Sequence, residues 1–150
     1  WTCVPAVPLL SKVKHNLLYT VRWLRPESIV FPGLISSDLT LLGQTCLDDT
    51  GFLNALVILL ANNISSKSFF HHTGQEDIGR YSIKLHSDGT SCLTVIDDTL
   101  PCNIAGVPLY AKATKAWPLL VEKAVAKLLG SYHELSQIST SQALVILTGG

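Results

Sequence analysis

The sequence predicts an α+β fold in which a long buried helix packs with a β-hairpin and further helices. Three observations support this prediction. Residues 51–61 are apolar on nearly all sides, which is typical of a helix in the centre of a domain. Residues 80–96 alternate between apolar and polar side chains on both sides of a turn, as the strands of a hairpin do. Two apolar-periodic helices follow, and this order of elements favours α+β.

Residues 7–24 are predicted to form an amphipathic helix. Apolar residues recur there at three- and four-residue spacing, namely Leu10, Val13, Leu17, Val21 and Leu24. Pro26 should end this helix, because the residue before a proline disfavours the helical region. Residues 29–38 contain Pro, Gly and Ser and are predicted to be a loop.

The remaining elements follow from caps and turns. The Asn62-Asn63 pair should end the central helix, and Ser87-Asp88-Gly89-Thr90 should form the hairpin turn. Residues 107–111 are predicted to be a short strand. Residues 117–129 form a helix with Gly130 as its natural C-terminal cap, and residues 139–147 form a last helix that Ser139 or Thr140 caps.

Composition excludes several classes of partner. The 150 residues suit one domain, and 11 basic and 11 acidic residues give a net charge of zero. Such a balance provides no electrostatic footprint for nucleic acid or for an anionic membrane, and no apolar run reaches membrane-spanning length. The hydrophobic content of 47% leaves room for an apolar surface that meets a protein partner. Because the chain starts at Trp1 and lacks Met, we predict that it is part of a longer protein.

The cysteines and histidines do not form a metal-binding pattern. Cys3, Cys46, Cys92 and Cys102 show no paired or Cys/His spacing, so a zinc site is not expected. His71-His72, with His86, could suggest a metal, but adjacent histidines point apart and are predicted to be solvated. No metal and no other cofactor is therefore predicted, and the cysteines are interpreted as inert thiols.

Five segments, in the same order, resemble the first half of the calpain protease core. They are residues 23–29 (WLRPESI), 49–56 (DTGFLNAL), 94–101 (TVIDDTLP), 117–132 (WPLLVEKAVAKLLGSY), and the pair 139–141 with 148–150. The resemblance implies the nucleophile-bearing subdomain of a papain-like cysteine protease in residues 23–150, after an N-terminal helical lead-in at residues 1–22. The triad's His and Asn would come from a second subdomain, which this chain lacks.

The nucleophile segment departs from the calpain pattern at three positions. Gln44 matches the oxyanion-hole Gln of that family, but Thr50 stands where the family has its catalytic Cys. Asp48 replaces a Gly and Gly51 replaces a Trp. A Thr hydroxyl stays neutral where a thiol would ionise, and an added carboxylate opposes an oxyanion nearby. We therefore predict no catalytic residues, with Thr50 and Gln44 as degenerate remnants.

Each of these residues has an alternative interpretation. Thr50 would act as a helix N-cap, with Asp48 and Asp49 as favourable charges at the helix N-terminus. Gln44 is equally well explained as part of a remnant oxyanion hole or as a loop residue with an inherited hydrogen bond. Cys46 could be a displaced nucleophile, although a plain core thiol explains it better.

Calcium binding is predicted to be absent. The resemblance places an Asp of the calpain calcium loop three residues before the Gln, and this chain has Leu41 there. Ser36, Ser37 and Asp38 remain as weak candidates, and Glu122 matches a Glu of the family, but calcium needs several oxygen ligands together.

The favoured function is a catalytically inactive calpain-like module that serves as a scaffold or protein-interaction domain within a larger protein. Two alternatives stay open: half of an active calpain-type cysteine endopeptidase, and a calcium-responsive regulatory domain. The resemblance implies a cytoplasmic location, and family analogy extends it to the cytoskeleton or cilia.

Overall fold

The computed structural model of the protein describes residues 21–29, 43–44 and 49–150. The strands are β1 (Arg22–Leu24), β2 (Gly43–Gln44), β3 (Phe70–His71), β4 (Arg80–Ser87), β5 (Thr90–Asp97), β6 (Leu100–Cys102) and β7 (Ala111–Lys112). The helices are α1 (Thr50–Ala61), α2 (Trp117–Leu129), α3 (Tyr132–Gln137) and α4 (Thr140–Thr148). Single 3₁₀ turns occupy Pro26–Ser28, Ser66–Phe69 and Glu76–Ile78. This mixture of helices and antiparallel pairs confirms the predicted α+β class.

The central helix lies where its composition predicts. α1 packs against α3 and α4, and its buried side chains are Phe52, Leu53, Ala55, Leu56 and Leu59. Burial of Phe52 alone removes one of the largest apolar side chains from water, which stabilises the fold by about 2 kcal/mol. α1 therefore packs against α3 and α4, while α2 packs against α3 and the strands.

The predicted hairpin is confirmed. β4 and β5 pair antiparallel from Arg80 opposite Asp97 to Ser87 opposite Thr90, and β3 pairs with the other edge of β4. Both turn residues have positive φ, 50° at Asp88 and 74° at Gly89. That is the requirement of a type I′ turn, whose twist matches the strands that flank it.

The caps of the later helices are also confirmed. α2 ends at Gly130, whose φ of 105° lies in the region that favours glycine. Ser139 begins α4 with a capping box, because its hydroxyl accepts from the Gln142 N–H while the Gln142 side chain accepts from the Ser139 N–H. The sequence reasoning missed α3, although its Ser131 hydroxyl caps the Glu134 N–H, a spacing visible in the sequence.

Two predicted elements are wrong. Residues 22–24 form strand β1 instead of the end of a helix, because they pair antiparallel with β6, with Trp23 opposite Pro101. The rest of the predicted helix at residues 7–20 lies outside the described residues. Residues 107–111 do not form the predicted continuous strand. Pro108 makes an isolated β-bridge with Cys102, and Ala111 is the first residue of β7.

The division into a lead-in at residues 1–22 and a core subdomain at residues 23–150 stays a prediction. Among the described residues, no helix combines the length and the apolarity that crossing a membrane requires.

Candidate functional site

The two residues that define the nucleophile pattern are placed by different elements. Gln44 lies in β2, where it pairs with Ala111 of β7; the structure describes its backbone and not its side chain. Thr50 begins α1 and is exposed. The intervening residues 45–48, which include Cys46 and Asp48, lie outside the described part of the chain.

The prediction that Thr50 caps α1 is wrong. The N-cap position belongs to Asp49, whose side chain makes no capping hydrogen bond. Thr50 is instead the first residue of the helix, one position too late for its hydroxyl to act as the N-cap acceptor. The Asp49 side chain, which could have capped the helix, is buried and interacts with Glu122 instead.

Gly51 is enclosed by the backbone that leads into α4. A Cβ atom on residue 51 would overlap the carbonyl oxygen of Ile138 and touch the carbonyl carbon of Ser139. Backbone atoms of a capped helix start cannot move aside as a flexible side chain can. Any side chain at this position therefore requires the surrounding backbone to shift, and the Trp that the calpain pattern has there does not fit.

Asp49 and Glu122 form a buried pair of carboxyl groups behind Thr50. Asp49 is 1% exposed and Glu122 is 2% exposed. Glu122 accepts hydrogen bonds from the Ala111 N–H, at 3.2 Å to Oε1 and 3.4 Å to Oε2. Burial raises the pKa of Glu122 well above its ordinary value, and the hydrogen bond and the charge of Asp49 raise it further. Glu122 thus contacts the residue before α1 and the strand that pairs with Gln44.

Two tyrosines lie beside this carboxyl pair. The rings of Tyr110 and Tyr132 stack with centroids 4.1 Å apart and planes 14° apart. Burial raises the pKa of Tyr132 well above its ordinary value, and the nearby Glu122 raises it further. Both effects keep the phenol neutral, so Tyr132 cannot serve as a base at neutral pH. Tyr132 is therefore a buried aromatic residue of the core.

The other motif segments meet at one edge of α2. The Lys123 ammonium lies 2.8 Å from Asp97 Oδ1 and 2.6 Å from the Thr99 carbonyl oxygen, and 5.1 Å from the Trp23 ring centroid. Arg25 approaches Asp98 at 3.6 Å. These contacts join the Trp-Leu-Arg-Pro segment, the Asp-Asp-Thr-Leu-Pro segment and the long helix, which explains structurally why the three occur together.

The described residues contain no metal-binding cluster. No group of three or more His, Cys, Asp or Glu side chains could hold a metal ion within the described ranges. His71 and His72 are exposed, as predicted. Burial raises the pKa of the Cys102 thiol to about 11, so that thiol is inert, and Cys92 is partly buried. Cys3, Leu41 and residues 36–38 fall outside the described ranges.

Sequence reasoning missed the structural role of Glu122. It treated this residue as a lone carboxylate that matches the calpain pattern. A signal was present, because Glu122 follows Leu119-Leu120-Val121 and every one of these residues is buried. A charged residue within such a run needs a partner in the interior, but the sequence did not show that the partner is Asp49.

Comparisons with known proteins identify relatives of this chain along most of its length. The family described as "Calpain family cysteine protease" matches residues 6–150. The chain is 36% identical over 140 residues to "Calpain-type cysteine protease DEK1" of Arabidopsis thaliana, covering 85% of this chain and 6% of that protein. It is 31% identical over 144 residues to "Calpain-1 catalytic subunit" of Sus scrofa, covering 88% of this chain and 20% of that protein. A 59-residue stretch is 49% identical to human "Calpain-14".

The chain thus spans only a small part of the relatives it matches. One explanation accounts for the motif segments, for the helix that Thr50 begins and for the match along nearly the whole length. The chain belongs to the calpain family of cysteine proteases.

Proposed function

We propose that this chain is a catalytically inactive calpain-like domain that acts as a scaffold or protein-interaction module within a larger protein. The observation that carries the proposal is Thr50 at the start of α1, where the resemblance places the nucleophilic Cys. A Thr hydroxyl needs a dedicated base to attack a carbonyl. The group behind Thr50 is the Asp49–Glu122 pair, which is buried and already engaged.

The surroundings of Thr50 also support inactivity. Gly51 leaves no space for the Trp that accompanies the nucleophile in the calpain pattern, because the Ile138 carbonyl lies where its Cβ would be. The closely packed segment before α4 thus suits the glycine at residue 51. Together with Thr50 at the start of α1, this packing supports the proposal of a site without chemistry.

An exposed stripe on α1 supports the interaction role. Thr50, Asn54, Val57, Ile58 and Ala61 are all exposed and follow the spacing of one helix face. Val57 is 51% exposed and Ile58 is 41% exposed. Neutral apolar side chains suit the surface of another polypeptide better than a nucleic acid, whose binding needs clustered positive charge. The occupant we propose is a protein partner, or another part of a larger parent chain, in the cytoplasm or at the cytoskeleton or cilia.

We expect the purified chain to cleave no protein or peptide. With calcium added, hydrolysis of a fluorogenic peptide should not exceed the buffer blank, while a calpain-1 catalytic subunit in the same buffer provides the positive control. Hydrolysis that Cys46→Ala abolishes would reveal a displaced nucleophile, and hydrolysis that Thr50→Ala abolishes would reveal a working Thr. Either result would replace the inactive module by the endopeptidase alternative.

We also expect no tight calcium binding. Leu41 replaces a carboxylate of the calpain pattern, and the structure adds that Glu122 is buried and bonded to Ala111, so it cannot be a surface ligand. Isothermal titration of the chain should give no saturable heat at micromolar calcium. A stoichiometric isotherm would instead support the calcium-responsive regulator, and Asp38→Ala would then test whether residues 36–38 supply the ligands.

A further inference from the structure

Strand β5 forms one edge of its sheet. Among the described residues the strand order is β3-β4-β5, so β5 pairs with β4 on one side and with no strand on the other. Successive residues of an antiparallel strand direct their backbone N–H and C=O alternately towards the paired strand and away from it. The Asp98 N–H donates to the Gly79 carbonyl in continuation of this ladder, so the even-numbered residues of β5 bond to β4. The residues whose backbone groups face the edge are therefore Ser91, Leu93, Val95 and Asp97.

Two lysines of α2 cover the C-terminal half of this edge. Lys127 Nζ lies 2.6 Å from the Val95 carbonyl oxygen, and Lys123 Nζ lies 3.2 Å from that of Asp97. The spacings agree, because four residues of helix advance about 6 Å and two residues of strand advance about 7 Å. Lysines are a common means of protecting a strand edge against further pairing. α2 thus protects β5 between Val95 and Asp97.

This protection ends where α2 ends. The next position in the lysine series is residue 131, which would reach Leu93. Gly130 stops the helix before that point with a φ of 105°, and the Ser131 hydroxyl caps α3 instead. Within the described residues, no hydrogen bond reaches the outward N–H and C=O of Ser91 or Leu93, and Leu93 is 52% exposed. A short length of strand edge is thus left open beside the hairpin turn.

We propose that the open edge at residues 91–93 docks an extended segment of a protein partner, which adds a strand to the sheet. A row of unpaired N–H and C=O groups at strand spacing matches the backbone of another extended chain. The exposed Leu93 offers an apolar contact to a side chain of that segment. This inference rests on the proposed interaction role of the domain and names the form of the partner that it takes.

The charges around the open edge favour a segment with acidic side chains over a second copy of this chain. Lys84 lies directly opposite Leu93 on β4, and Lys127 lies where the open edge ends. Both lysines are exposed, and neither pairs with a carboxylate among the described residues. The nearest carboxylate along the hairpin is Asp88, in the turn beyond Ser91. Pairing β5 with its own copy would bring the same lysines together, which is destabilising, whereas a segment that alternates apolar and acidic residues suits both the lysines and Leu93.

The test measures amide hydrogen exchange of the whole chain by NMR, with and without a short synthetic peptide that alternates valine and glutamate. A peptide that adds a strand should slow exchange at the outward amides of Ser91 and Leu93. With the peptide at about twice its dissociation constant, the slowing should be about threefold, since only the free chain exchanges. The amides that already bond to β4 should change little. The same peptide, N-methylated along the edge that would bond to β5, should give no slowing.

Two variants separate backbone pairing from a side-chain contact. Leu93→Pro removes the outward N–H and no bond to β4, a change that edge strands tolerate, and it should abolish the slowing at Ser91. Leu93→Ala is the matched control, because it keeps the N–H and should keep the slowing. The proposal is overturned if the wild type shows no slowing, or if the N-methylated peptide or Leu93→Pro gives the wild-type result.

Self-association is the remaining outcome. If the chain without peptide formed a dimer that Leu93→Pro abolished, the occupant of the edge would be a second copy, and the partner segment would be wrong. None of these results changes the expected outcome of the peptide-cleavage assay. The docking edge and the catalytic inactivity of the domain can therefore fail separately.

Discussion

Gly51→Trp should destabilise the chain by at least about 3 kcal/mol. The new side chain cannot fit, because its first carbon already overlaps the Ile138 carbonyl oxygen. Relief would require either α1 or the start of α4 to shift, and α4 is fixed there by the capping box of Ser139. Such a loss is a large part of the total stability of a domain of this size, about 5–15 kcal/mol. The change should lower the midpoint of urea unfolding accordingly.

Ala61→Trp is the matched control for this substitution. It places the same side chain on the same helix at an exposed position, and we expect a change within about 0.5 kcal/mol. Gly51→Ala should still cost about 2 kcal/mol, because the overlap at Cβ exceeds the gain of about 1 kcal/mol in helix propensity. If Gly51→Trp unfolded at the wild-type midpoint, the Ile138–Ser139 segment would be movable, and residue 51 would not show adaptation to inactivity.

Elements that local patterns determine could be predicted from the sequence. The hairpin followed from strand alternation around a turn with Asp88-Gly89, and α4 from the Ser139–Gln142 spacing. β1 could not be predicted this way. Its residues continue the apolar spacing of a helix, and only the pairing of Trp23 with Pro101, almost eighty residues away, makes them a strand.

In the candidate site, too, local features could be predicted from the sequence and long-range contacts could not. The motifs identified the calpain family and singled out residues 50 and 51, because these signals lie within a few neighbouring positions. They could not show that Asp49 turns inward, since its partner Glu122 belongs to another helix. The capping prediction failed because α1 begins one residue earlier than expected, so that Asp49 and not Thr50 is the N-cap.

Thr50→Cys should not create a reactive thiolate. A cysteine nucleophile of this fold needs a neighbouring His⁺, which the resemblance assigns to a second subdomain and not to residues 23–150. The start of α1 offers a partial positive charge from the helix dipole, but the acidic Asp49–Glu122 pair lies directly behind residue 50. We therefore expect a thiol pKa near or above the free value of about 8.5. At about pH 6, roughly three thiols in a thousand would be ionised, so alkylation should be about 300-fold slower than for a fully ionised active-site thiolate.

The measurement is the rate of iodoacetamide labelling at residue 50 as a function of pH, followed by peptide mass spectrometry, which separates this site from the native cysteines. Asn54→Cys provides the matched control, because it places a thiol on the same exposed face of α1 one turn away from the helix start, where the dipole acts less. Similar pH profiles for the two cysteines would mean that residue 50 provides no activation. Fast labelling of residue 50 alone at about pH 6 would mean that the helix N-terminus still activates a thiol. The domain would then be one substitution away from a nucleophile, and its inactivity would rest on Thr50, without adaptation of the surrounding site.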